Sequence, residues 1–113
     1  EKEDVANLKD KELYCYEKSE AYLLELKEEF PEVLENLKGI IDDNRRNQGE
    51  TVFCGKIFAV KDFSQVDLID WSKAVVIITS DYYGEAFEKM SSHISAKDIG
   101  GVIYYYANRE TSI

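Results

Sequence analysis

Leu37-Lys38-Gly39-Ile40-Ile41-Asp42-Asp43-Asn44 decides how the rest of the chain is read. A short apolar run breaks off into carboxylates and an amide, which is how a buried strand ends at the polar edge of an α/β sheet. Such a strand calls for a strand, turn and helix before it and a further strand of the same sheet after it. Both are present.

Upstream, Leu13-Tyr14-Cys15-Tyr16 is rich in strand formers and runs into the polar break Glu17-Lys18-Ser19. From Ser19 the period changes. Leu23, Leu26 and Phe30 fall at i, i+3 and i+7, with Glu20, Glu25, Glu28 and Glu29 on the other side. The spacing predicts a helix capped by Ser19 and stopped by Pro31, with Val33 and Leu34 in a last turn. Residues Glu1 to Lys11 are charged and aperiodic, a lead-in with a short helical turn around Val5 to Leu8.

Downstream, Asp42 to Glu50 has the composition of a surface loop. Thr51-Val52-Phe53-Cys54 reads as a short ribbon or bulged approach to a third strand, Lys56 to Val60, and Asp62 to Trp71 as a short crossover helix. Ala74-Val75-Val76-Ile77-Ile78-Thr79 is a continuous β-branched run, the mark of a strand covered on both faces. Ser80 or Asp81 then caps a helix carrying Tyr83, Phe87, Met90 and Ile94, and Val102 to Tyr106 forms the last strand. Strands alternating with helices through right-handed crossovers give a parallel sheet with helices on both faces, most simply five strands ordered 3-2-1-4-5.

The 113 residues fit one domain, with residues 1–11 as lead-in, 12–107 as core and 108–113 as tail. The single methionine, Met90, suggests a domain taken from a longer protein. A formal charge of -9, with 12 acids and 5 lysines in residues 1–36, opposes binding to nucleic acid or to an anionic membrane surface. No apolar run reaches the length of a membrane span and no signal segment opens the chain, so no membrane insertion and a cytoplasmic location are expected. Cys15 and Cys54 lack a CxxC spacing and are read as reduced, held apart by a central strand.

In a sheet of this order ligands sit at the carboxyl ends of the strands, where the order reverses. That edge carries Lys18 and Ser19 after strand one, Asp42 and Asp43 after strand two, and Thr79, Ser80 and Tyr82 after strand four. These seven are the candidate binding residues.

The succession of Leu-Tyr-Cys-Tyr before a turn and helix, Gly-Ile-Ile-Asp-Asp-Asn, Gly55 leading to Ile-Phe-Ala-Val, and Val-Ile-Ile-Thr-Ser-Asp-Tyr-Tyr resembles a known family. It looks like the Rossmann-like NAD(P)- or nucleotide-binding domain of bacterial surface-polysaccharide proteins, those associated with nucleotide-sugar dehydratases, epimerases and sugar acetyltransferases. The resemblance spans roughly residues 11–107. It implies a three-layer, doubly wound parallel sheet and a ligand such as NAD(P) or a nucleotide-sugar.

The glycine-rich phosphate turn of that family falls on Glu17 to Tyr22, where no glycine stands; the six glycines lie at 39, 49, 55, 84, 100 and 101. Glycine there gives the tight turn and the close approach of backbone to pyrophosphate, and Glu17 and Glu20 place carboxylates beside that site. Asp42, 20 residues after Tyr22, stands near the spacing of a ribose-binding acid. It is read either as a retained ribose contact or as a solvated strand end. Thr79 to Tyr83 offer hydroxyls and rings to a sugar or base, or else a helix cap and a core tyrosine. His93, near a helix end with no base or second metal ligand beside it, is read as a surface residue.

No catalytic set is recognisable, so the first expectation is a non-catalytic or degenerate nucleotide or nucleotide-sugar binding or scaffolding domain, associated with other domains of a parent protein. The alternatives are a true cofactor domain with a rebuilt turn using Lys18, Ser19 and Asp42, and a structural domain that forms a homodimer through the aromatic last strand, Tyr104 to Tyr106.

Overall fold

The computed structural model describes residues 8, 10–79, 83–94 and 103–105, of which 65, 83 and 103–105 are described by backbone alone. Six strands form one sheet: β1 (Glu12–Tyr16), β2 (Leu37–Ile41), β3 (Gly49–Phe53), β4 (Lys56–Lys61), β5 (Ala74–Ile78) and β6 (Ile103–Tyr105). Their order across the sheet is β3-β4-β2-β1-β5-β6. Every neighbouring pair is parallel except β3 with β4. The helices are α1 (Glu20–Glu29), α2 (Pro31–Leu34) and α3 (Tyr83–Ser91), with 3-10 segments at Arg45–Asn47 and Phe63–Leu68.

The fold is thus α/β and mostly parallel, and the sheet has six strands where five were expected: the five expected strands lie side by side as β4-β2-β1-β5-β6, and residues 49–53 add an edge strand, β3, outside β4. The cause lies in Cys54 and Gly55, with φ of 54° and 80°. Two successive left-handed residues make a two-residue hairpin loop whose twist matches the flanking strands. Residues 49–53 therefore fold back on β4 as a full antiparallel edge strand, paired from Gly49 with Val60 to Phe53 with Lys56.

Period-2 alternation along the central strands sorts the core into two clusters, one on each face. Leu13, Cys15, Ile40, Val75 and Ile77 belong to the first, where α1 and α2 supply Tyr22, Leu23, Leu26, Val33 and Leu34. Tyr16, Ile41, Val76 and Ile78 belong to the second, covered by Val66 of the 3-10 crossover, by Ala86 and Met90 of α3, and by Ile94 beyond it. All five residues of β5 are buried, as a strand with helices over both faces requires. Ser19 does cap α1, its Oγ accepting the Tyr22 N–H at 3.4 Å, and Pro31 occupies the first turn of α2.

Three expectations are corrected. The Phe63–Leu68 crossover is 3-10 rather than α-helical. Of the apolar residues expected to face the sheet, Met90 and Ile94 are buried but Phe87 is exposed, and Ala86 is buried in its place. Leu8 is not part of a frayed lead-in: it is buried in the first core cluster, and its carbonyl accepts the Lys11 N–H at 3.0 Å. Both cysteines are free thiols, Cys15 buried and Cys54 exposed. No described helix is long and apolar enough to cross a membrane.

Candidate functional site: an internal clasp at the carboxyl edge

The residues after β1, β2 and β5 meet at one edge of the sheet because the three strands are adjacent and parallel. Asp42 extends the β2–β4 ladder one step beyond the strand, its N–H donating to the Lys61 carbonyl at 2.8 Å. Its side chain is fully buried. One carboxylate oxygen accepts the Lys18 N–H and the Asn47 amide Nδ2, both at 3.0 Å, and the other accepts the Asn44 N–H at 2.8 Å. Gln48 Nε2 donates to the Asp42 carbonyl at 3.1 Å. A buried carboxylate is tolerable only with donors of this kind around it. Asp42 is therefore not a solvated strand end, and the oxygens that the alternative reading gave to a ribose are engaged by the protein's own N–H groups.

Thr79 does the equivalent on the other side of β1. It too is fully buried. Its Oγ1 accepts the Glu17 N–H at 3.0 Å and donates to the Glu17 carbonyl at 2.6 Å. The hydroxyl expected to meet a sugar or base is closed onto backbone. Two successive amides of the β1–α1 turn, Glu17 and Lys18, are thus taken by Thr79 of one neighbouring strand end and Asp42 of the other. In a phosphate-binding turn such amides point at the anion. Here they are donors to an internal clasp.

Outside the clasp lies a second layer of contacts. Burial foremost, and then the Asp43, Glu17 and Asp42 carboxylates, push the Tyr16 phenol far above the usual tyrosine range. Asp43 also takes the Lys89 ammonium of α3 at 2.8 Å, an exposed pair whose hydrogen bond raises the lysine. Tyr16 packs on Phe63 at 5.2 Å between ring centroids, and Phe63 stacks on His93 at 5.1 Å with 7° between planes. His93 Nδ1 lies 3.8 Å from Asp67. An open recess of about 490 Å³ sits beyond the ends of β2 and β4, lined by Asp43, Arg45, Gln48, Asp62, Phe63 and Ser64. Much of that lining is already engaged: Gln48 on the Asp42 carbonyl, Asp43 on Lys89, and Asp62 on Ser64, whose hydroxyl holds the carboxyl below its ordinary value.

Lys18, Ser19, Asp42, Asp43 and Thr79 are therefore brought to one edge, as expected. Ser80 and Tyr82 lie outside the described residues, as do Ser80 and Asp81 as caps of α3. The amides of Asn44, Asn47 and Gln48 were missed as partners of Asp42. The signal was there, because an amide-rich loop directly after a buried acid supplies short-range donors for it. Among the described residues no group of three or more His, Cys, Asp or Glu could hold a metal ion. Compared with protein-family models, with curated proteins and with solved structures, the chain finds no match.

Proposed function

We infer that this chain is a non-catalytic binding or scaffolding domain of a protein in a bacterial polysaccharide or nucleotide-sugar pathway, built on a nucleotide-binding type of fold whose phosphate turn has become an internal clasp. The resemblance of residues 11–107 supports the pathway. One observation carries the loss of phosphate binding: the Glu17 and Lys18 amides end on Thr79 Oγ1 and Asp42 Oδ2. A diphosphate entering the turn would have to displace both bonds while facing Glu17 and Glu20. Nothing in the clasp resembles an activated nucleophile or an acid–base pair open to a substrate.

The recess beside Arg45 favours a second reading, in which the edge still takes a nucleotide or nucleotide-sugar weakly. A titration of the isotope-labelled chain with NAD, NADP and a UDP-sugar, followed by amide NMR, separates the two. The clasp predicts that Glu17 and Lys18 stay unmoved at millimolar ligand. Saturable shifts at those amides would restore the cofactor reading, with Lys18, Ser19 and Asp42 in the binding turn.

A further inference from the structure

At the opposite edge of the sheet the molecule is open. Where β2 and β4 begin, the hairpin tip, α2 and the end of α1 enclose a groove of about 280 Å³. Its walls are apolar, formed by Leu34, Leu37, Phe53 and Phe58. Phe53 and Phe58 are placed there by the hairpin register, since Phe53 pairs with Lys56 and Phe58 with Thr51, which puts the two rings on one face of the ribbon. That face belongs to the first core cluster, so the groove continues the core to the surface rather than lying on a loop.

The rim is basic in an acidic chain. Lys27 and Lys56 stand on it with Glu35, and both lysines are exposed. Neither is ion-paired with a carboxylate among the described residues. An apolar slot with two unpaired ammonium groups at its mouth suits one kind of occupant, a compact apolar body ending in a single negative charge. Glu35 opposes a second anionic group. The volume falls just under the roughly 300 Å³ at which ligand pockets usually begin, which favours a small ligand over a dinucleotide.

We propose that this groove binds a small apolar carboxylate, with the apolar body against Phe53 and Phe58 and the carboxylate between Lys27 and Lys56. The site is independent of the clasp and does not rest on the function inferred above.

Cys54 provides the reporter. It lines the same groove, and it is the one exposed thiol among the described cysteines, whereas burial pushes Cys15 up to about 12. The probes are 3-phenylpropanoate and its uncharged amide, followed by NMR shifts of Leu34, Phe53 and Phe58 and by the rate of Cys54 alkylation with iodoacetamide. The acid is expected to give saturable shifts with a Kd below about 1 mM and to slow alkylation. The amide should bind about fivefold more weakly, the scale of a rim charge. Replacing both lysines, Lys27→Gln with Lys56→Gln, should remove the difference between acid and amide; circular dichroism verifies that this doubly substituted chain is folded. Absence of saturable shifts at millimolar acid overturns the proposal, as does equal affinity for acid and amide in the unsubstituted chain.

Discussion

The two edges of this sheet solve opposite problems with similar materials. At the carboxyl edge a carboxylate and a hydroxyl, Asp42 and Thr79, are fully buried and bonded to the turn between them. At the amino edge phenylalanines reach a groove whose lysines are exposed. Polar atoms at the first edge are occupied by the protein itself, while apolar and basic groups at the second are left to the surroundings. In α/β sheets the carboxyl edge is the usual place for a ligand. Here the polar residues that mark that edge in the sequence mainly hold the fold together, which teaches that a polar strand end signals a demand for donors before it signals a site.

The contrast can be broken most severely by alkali. Cys15 and Tyr16 in the central strand are both raised by burial, from ordinary values of 9.0 and 10.0, whereas Cys54 is exposed at the far edge. Below those ordinary values both groups are neutral folded or unfolded, and their contribution to stability is complete. Above pH 9 to 10 the unfolded chain ionises first, so stability drains away as pH rises. Denaturation midpoints measured against pH should fall from about pH 9 upward, and Tyr16→Phe should flatten the later part of that fall. An unchanged midpoint to pH 11 would contradict the burial of this strand.

Next in size is Asp42→Ala. It leaves the Lys18, Asn44 and Asn47 donors without their acceptor and should cost about 3 kcal/mol in chemical denaturation. A loss below about 1 kcal/mol would return Asp42 to the status of a solvated strand end. Thr79→Val keeps the shape and removes the hydroxyl, with an expected loss of about 2 kcal/mol. At the open edge the effect is smaller and of opposite sign. Cys54 has a positive φ that asparagine adopts more readily, so Cys54→Asn should stabilise the hairpin by about 0.5 kcal/mol, read from the same denaturation curves.

Much of this architecture was legible because it rests on strong periodicity. The β-branched run at 74–78 announces a strand buried on both faces, and Leu23 and Leu26 announce the inner side of α1. The edge strand was obscured because its loop is Cys54-Gly55 rather than the asparagine-glycine that usually marks such a turn. Phe87 misled because helical spacing fixes a face only to within a neighbouring position: Met90 and Ile94 are buried as expected, but Ala86 takes the place expected of Phe87. For the candidate site, sequence placed Lys18, Ser19, Asp42, Asp43 and Thr79 at one edge but could not assign their bonds. Whether Asp42 meets a ribose or the Lys18 amide depends on how closely two strand ends, 24 residues apart in sequence, approach each other. The amino-edge groove left no local pattern, since its walls come from α1, α2, β2 and the hairpin together.

Amide hydrogen exchange at Glu17 and Lys18 tests the clasp most directly, because it reads the two bonds without any ligand. Both amides should be protected to the level of the β1 core, and Asp42→Ala should release Lys18 while Thr79→Val releases Glu17. Exchange of either amide in the unsubstituted chain at the rate of an unstructured peptide would show an open turn, with its donors available to an anion after all.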